Sequence, residues 1–278
     1  MKPRELIRAC SDRFRSAGIP DPENDAALIL SHLTGKAPLS LRLDEDTELT
    51  SSVISAFDEL ACKRLERIPL QYLLGTAPFY GRMFHVDPRV LIPRPETELL
   101  CEWALELLRN RPSPRILDLC CGSGCIGLTM KAERPDASVM LSDISPEALE
   151  VAAGNAKSLG LDVSFSCGDL LEGFEGSSFD MIVSNPPYIP SAECNDLQQE
   201  VLREPRLALD GGTDGLALYR RIISDASSVL VPDGMLLMEL GEGEADAVSS
   251  LLAALPFQTI RLRKDLSGIR RMILAEGI

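Results

Sequence analysis

Apolar residues recur at helical spacing through the first quarter of the chain, then give way to short unbroken apolar runs separated by helical stretches. Leu6, Ile7, Cys10 and Phe14 fall on one face of a first helix. Asp21-Pro22 opens a second, which carries Ala26, Leu28, Ile29, Leu30 and Leu33 before Gly35 stops it. Thr50 or Ser51 caps a third, with Val53, Ile54, Phe57, Leu60, Ala61 and Leu65 as its stripe. Thr76 to Tyr80, a turn at Gly81, and Met83 to Val86 predict a hairpin. A stiff Leu91–Glu98 segment then leads into a helix burying Leu99, Leu100, Trp103, Ala104 and Leu107.

From Arg115 the pattern alternates. Apolar runs at 116–119, 139–141, 163–166 and 179–183 read as buried strands, separated by helical stretches from Cys125 and over 146–159. After a long loop over 189–213 come a helix over 216–230, a strand over 235–240, a helix over 245–255 and two last strands. Strand–helix alternation of this kind predicts a doubly wound α/β sheet. The chain therefore divides into a helical domain over 1–74, a hairpin hinge over 75–95 and an α/β domain over 96–278.

Composition narrows the function. A net charge of -14 opposes nonspecific adhesion to nucleic acid or to an anionic membrane. No apolar run is long enough to span a bilayer, and the mixed charge of the first fifteen residues does not make a secretory signal. A cytoplasmic protein is expected. The eight cysteines form no C-x-x-C pair and only two histidines accompany them, so they read as free thiols rather than as metal ligands. No metal is expected.

The chemistry concentrates at Asn185-Pro186-Pro187-Tyr188, directly after the strand that ends at Ser184. Two prolines remove two backbone donors and leave carbonyl oxygens as the main-chain polar groups on offer. The Asn side chain adds an acceptor and the Tyr a flat face. Two acceptors and a platform suit a planar NH2 group, either an amide or a nucleobase amine. Such a nitrogen is a poor nucleophile, because its lone pair is delocalised. Acceptors on both of its hydrogens favour the pyramidal, positively charged form that grows during attack. The bland alternative is a proline-rich turn.

A second motif, Gly122-Ser123-Gly124-Cys125-Ile126-Gly127, fits G-x-G-x-x-G, with Asp143 about twenty residues on. The layout serves dinucleotides and S-adenosylmethionine alike. Asp118, at the end of the first strand of the α/β domain, would repel a pyrophosphate but attract the ammonium and sulfonium of S-adenosylmethionine. Combined with an NH2-gripping motif, this favours the methyl donor.

Asn185-Pro186-Pro187-Tyr188, the 118–124 turn, Ile92-Pro-Arg-Pro-Glu-Thr-Glu98 and the helical N-terminal region together resemble the HemK/PrmC family of protein-(glutamine-N5) methyltransferases. Those enzymes act on the Gly-Gly-Gln loop of class I peptide chain release factors. The resemblance covers nearly the whole chain. It implies a class I S-adenosylmethionine-dependent methyltransferase fold, a Rossmann-like seven-stranded sheet with the last strand antiparallel, behind an N-terminal helical bundle that recognises the release factor.

It further implies that Cys120, Cys121, Gly122, Ser123 and Gly124 wrap the methionine part of the cofactor. Asp143 would hold the ribose, and Asp169 and Leu170 would border the adenine. Asn185, Pro186, Pro187 and Tyr188 would hold the glutamine amide against the methyl group, with the Arg94–Glu98 segment covering the cofactor. Two positions depart from the family pattern: Cys120 replaces its first glycine, with Cys121 following where threonine is often found, and Leu170 stands where some relatives carry an aromatic. The expected partner is a class I release factor met by a monomer, with neither membrane nor direct nucleic-acid contact. Three other enzymatic readings stay open: methylation of a ribosomal-protein glutamine, methylation of an exocyclic amine of DNA or RNA, and nicotinamide-dependent oxidoreduction. A non-catalytic docking scaffold is a fourth.

Overall fold

A run of helices occupies the N-terminal part of the computed structural model, which describes residues 1–44 and 46–277. These are α1 (Pro3–Ser16), α2 (Pro22–Thr34), α3 (Pro38–Leu43), α4 (Ser51–Leu65) and α5 (Leu70–Leu74). The predicted starts and stops have physical counterparts. Pro22 stands at the first helical position of α2, Gly35 takes the left-handed conformation that ends it, and the Thr50 hydroxyl accepts from Val53 N to cap α4. Phe14, Ile29, Leu30, Leu41 and Phe57 are fully buried together in a core of their own. The short α3 and α5 are additions to the expected three helices.

Residues 1–75 form one compact unit, to which 199–203 also belong. Within it Arg64, only 4% exposed, donates to Asp25 at 2.8 Å and to Glu200 at 3.0 Å, and Arg67 donates to the same Glu200 oxygen at 2.9 Å. Burial raises the Asp25 carboxyl, while the two guanidinium groups hold Glu200 below its usual range against its own burial.

The second unit comprises 76–198 and 204–278. It opens with the predicted hairpin, β1 (Thr76–Phe79) and β2 (Arg82–His85), followed by α6 (Pro95–Leu107). Next come β3 (Arg115–Leu119), α7 (Cys125–Glu133), β4 (Ser138–Asp143), α8 (Pro146–Leu159), β5 (Ser164–Cys167) and β6 (Phe179–Ser184). The chain finishes with α9 (Ala217–Ala226), β7 (Leu230–Glu239), α10 (Ala245–Ala253), β8 (Thr259–Lys264) and β9 (Arg270–Glu276). The helix expected over 216–230 ends four residues early, because Leu230 already pairs with Phe179 as the start of β7.

Seven strands make one sheet in the order β5-β4-β3-β6-β7-β9-β8, with β9 antiparallel to both neighbours. Successive side chains of a strand point to opposite faces, and both faces are apolar here. Ile116, Val139, Leu141, Met181, Val183 and Leu237 pack with Leu100 and Trp103 of α6, Leu128 of α7 and Ala152 of α8. Leu117, Leu119, Ile182, Leu236 and Met238 pack with Tyr219 and Ile222 of α9 and Val248 of α10. From β3 the chain winds outward through β4 and β5, then returns to β6 on the other side of β3. The carboxyl ends of β3 and β6 thus flank the point where winding reverses, the place at which open α/β sheets take ligands.

Candidate active site

At that reversal lies a cavity of about 530 Å³, within the range usual for small-ligand sites of roughly 300–1,000 Å³. Its wall joins the tip of β3 (Cys120, Gly122), the tip of β4 (Asp143 to Ser145), the end of β5 (Gly168 to Leu170) and the tip of β6 (Asn185, Pro187). Segments 88–91 and 205–208 line it as well. The two motifs, nearly sixty residues apart in sequence, therefore share one cavity.

The glycine turn assigns each glycine a different task. A Cβ at Gly122 would meet nothing within 4 Å, so its bare face is open to the cavity. A Cβ at Gly124 would lie 2.8 Å from Leu141 Cδ2, and one at Gly127 would lie 2.9 Å from Asp118, so these two let α7 press onto the sheet. Cys121, Ser123 and Gly124 are buried and do not line the cavity. Cys120 does. It adopts φ +60°, the conformation glycine would take without strain. Leu170, the other departure from the family pattern, has φ +56° and also lines the cavity. Both non-glycine residues are held in a strained region at the ligand wall, and the cavity stays open beside Cys120.

Asp143 is fixed by two backbone donors: Gly122 N reaches its Oδ2 at 2.9 Å and Ser145 N its Oδ1 at 2.9 Å. Burial nevertheless raises its carboxyl above the usual value. Asp169 pairs with Arg221 at 2.9 Å, and both line the cavity. Asp118 departs from expectation. It is fully buried beneath the turn, accepts from Gly127 N at 2.7 Å, and leaves its Oδ1 without a partner among the described residues. Desolvation pushes it up to about 7. It acts as a brace for the turn, and no direct contact with a ligand cation is available to it.

On the acceptor side, Ser184 Oγ donates to Leu119 O at 2.7 Å and locks the β6 tip to the β3 tip. Asn185 Nδ2 donates to Thr97 Oγ1 at 3.3 Å, and Thr97 in turn donates to Glu239 Oε2 at 2.7 Å. Pro186 is buried, and neither it nor Tyr188 lines the cavity. Tyr188 is wedged instead against glycine: a Cβ at Gly211 would come within 2.7 Å of its Cα, and one at Gly241 within 3.0 Å of its Cδ2. Ile189 N donates to Leu209 O and Gly211 N to Ile189 O, so the returning loop is stitched to the motif. Burial first, then the Glu239 charge, pushes the Tyr188 phenol up to about 12.

The Arg94–Glu98 segment does not cover the cavity; 88–91 lies there instead. Arg94 donates to Glu204 at 2.6 Å, whose other oxygen accepts from Ile92 N, while Thr97 reaches Asn185. Thr97 stands inside the Arg94–Glu98 segment singled out from the sequence, but on the acceptor side rather than over the cavity. Glu239, Glu204 and the glycines at 211 and 241 are not marked by any motif, the one signal being a glutamate closing the apolar run Met235 to Met238.

The chain matches the family described as PrmC N-terminal domain over residues 5–75 and that described as Methyltransferase small domain over 97–214. It is 41% identical over 276 residues to the release factor glutamine methyltransferase of Deinococcus radiodurans, covering 99% of this chain and 98% of that protein. To the enzyme of that name from Caulobacter vibrioides it is 39% identical, covering 96% and 93%. Among solved structures, the catalytic domain of hMettl16 in complex with an RNA hairpin superposes with a TM-score of 0.57 at 13% identity, covering 84% of this chain and 95% of that one. The 16S rRNA N2 G1207 methyltransferase RsmC of T. thermophilus, in complex with AdoMet and guanosine, gives 0.54 at 20% identity, covering 73% and 50%. At these identities the structures speak for the fold alone.

Proposed function

The chain belongs to the release factor glutamine methyltransferase family, and on that premise we propose that it moves a methyl group from S-adenosylmethionine to the side-chain nitrogen (N5) of the glutamine in the Gly-Gly-Gln motif of class I peptide chain release factors. It would act as a cytoplasmic monomer, residues 1–74 recognising the release factor, 75–95 serving as the hinge and 96–278 carrying the chemistry.

The cavity suits the methyl donor. The bare face of Gly122 accommodates close approach of the methionine part, with Cys120, Cys121, Ser123 and Gly124 forming the turn around it. Asp143 offers acceptor lone pairs to ribose hydroxyls. Asp169 and the apolar Leu170, which line the cavity, would border the adenine. S-adenosylmethionine supplies an electrophilic methyl group on a sulfonium.

The protein's own residues do the rest. The Asn185 carboxamide oxygen and the Pro186 carbonyl accept the two hydrogens of the glutamine amide, Pro187 stiffens the notch and Tyr188 packs on the amide plane. These dipoles oppose delocalisation of the nitrogen lone pair and stabilise the positive charge that builds on it. Holding the nitrogen in line removes the entropy of encounter. The proton leaves to water after transfer.

The observation that carries this reading is the Asn185 carboxamide, tethered through its NH2 group to Thr97 on the wall of the cavity that Gly122 also lines. The test is incubation with methyl-labelled S-adenosylmethionine and a purified class I release factor, followed by mass mapping. One methyl group on the Gly-Gly-Gln glutamine is expected. Label confined to another residue or to RNA would overturn it.

A further inference from the structure

Asn185 can present either end of its carboxamide to the cavity, and only one end is useful. An oxygen turned inward accepts from an incoming NH2 group; an NH2 turned inward opposes donor to donor. The two ends are nearly isosteric, so shape does not choose between them.

We propose that Thr97 and Glu239 are positioning residues for the methyl transfer, forming with Asn185 a buried relay that turns the carboxamide oxygen toward the substrate. This rests on the reading that Asn185 grips the glutamine amide. Thr97 is 2% exposed and Glu239 4% exposed. Strand register brings them together: Ser184 pairs with Met238, so the next residues, Asn185 and Glu239, leave neighbouring strands side by side. Thr97 arrives from the first turn of α6.

The direction of the relay follows from counting hydrogens. An ionised carboxylate only accepts. Thr97 has one hydroxyl hydrogen and gives it to Glu239 at 2.7 Å. Its lone pairs are then left to accept, and Asn185 Nδ2 supplies the hydrogen at 3.3 Å. With that acceptor on its flank and the Glu239 carboxylate behind it, the NH2 end is drawn away from the cavity.

Protonation of Glu239 reverses this logic. The neutral acid can donate to Thr97, which frees the Thr97 hydroxyl hydrogen, and an Asn185 turned over would accept that hydrogen on its oxygen while showing NH2 to the substrate. Burial pushes Glu239 up to about 7, with the Glu96 charge adding to the rise; the bond from Thr97, the polar Asn185 side chain and the Arg271 charge pull the other way. Tyr219 bonds the main-chain oxygen of Glu239 and leaves its carboxyl untouched. Activity is therefore full above this pKa and falls as pH drops through it.

The experiment uses the full chain with a class I release factor, comparing wild type, Thr97→Val, Thr97→Ser and Glu239→Gln. Thr97→Val keeps the shape and loses the hydroxyl, and kcat should fall on the order of 10²-fold, the usual effect of a misplaced reacting group. Cofactor affinity by calorimetry should stay within about threefold, the loss appearing in the transfer step. Thr97→Ser should recover most of kcat. In the free protein, the side-chain amide resonance of Asn185, identified by its absence in Asn185→Ala, should titrate with a midpoint near 7 in wild type and not in Glu239→Gln. Thr97→Val with near-normal kcat beside an inactive Asn185→Ala would overturn the relay while leaving the glutamine reading intact. An Asn185 resonance blind to pH, or a Thr97→Ser variant as impaired as Thr97→Val, would overturn it too. A wild-type protein unable to methylate the release factor would instead overturn the functional reading.

Discussion

Two neighbouring strand tips, β3 and β6, meet at one cavity and are built on opposite plans. The β3 tip is backbone. Its turn offers the bare face of Gly122, relies on Gly124 and Gly127 for packing, and tolerates a cysteine at φ +60° where the family pattern has glycine. The β6 tip is side chain. Asn185 is tied to Thr97 and Glu239, and Tyr188 is pressed between Gly211 and Gly241. A methyl donor can be held by shape and main-chain approach, so that tip absorbs substitution. Activating an amide nitrogen depends on where single acceptor atoms lie, and that tip is fixed from several sides.

Perturbing each tip tests the contrast. The largest expected effect lies beneath β3. The folded-state pKa of Asp118 is raised from 3.8 to about 7, so its stabilising contribution is present below pH ~4 and is lost as pH rises through ~7. Three pH units correspond to at most about 4 kcal/mol. Denaturant unfolding at both ends of that window should show wild type losing stability relative to Asp118→Asn by an amount of this order. A stability difference independent of pH would contradict it.

Next comes the β6 cradle. Gly241→Ala would set a Cβ 2.6 Å from Glu244 Oε2 and 3.0 Å from Tyr188 Cδ2, displacing the platform by a fraction of an ångström. Turnover should fall on the order of 10²-fold, with cofactor affinity unchanged by calorimetry. Smaller again, Asp143→Ala removes acceptors from the ribose position. Cofactor Kd should rise roughly tenfold, the value of one or two hydrogen bonds, with little change in the rate of saturated enzyme.

The sheet and most helices were legible because buried parallel strands write themselves as unbroken apolar runs, and Gly35 and Gly160 mark helix ends by their left-handed conformation. Short α3 and α5 were not, since five or six residues cannot display a helical period. The two motifs were legible because each is contiguous. Glu239, Gly211 and Gly241, and the role of Thr97 within its motif, were hidden because only folding brings α6, β7 and the returning loop to the β6 tip. Asp118 was misread for a related reason: the sequence shows a charge beside the turn but not the side of the backbone on which it is buried.

The most direct test is single-turnover methyl transfer at saturating S-adenosylmethionine, run on Asn185→Ala and Cys120→Gly side by side. Removing one acceptor from the activating notch should slow the transfer step about 10²–10³-fold, or ~2–4 kcal/mol. Relieving the strained cysteine should leave that step within about threefold of wild type, any gain appearing in cofactor affinity. Equal losses in the two variants, or an Asn185→Ala enzyme that transfers at the wild-type rate, would contradict the division of labour between the strand tips.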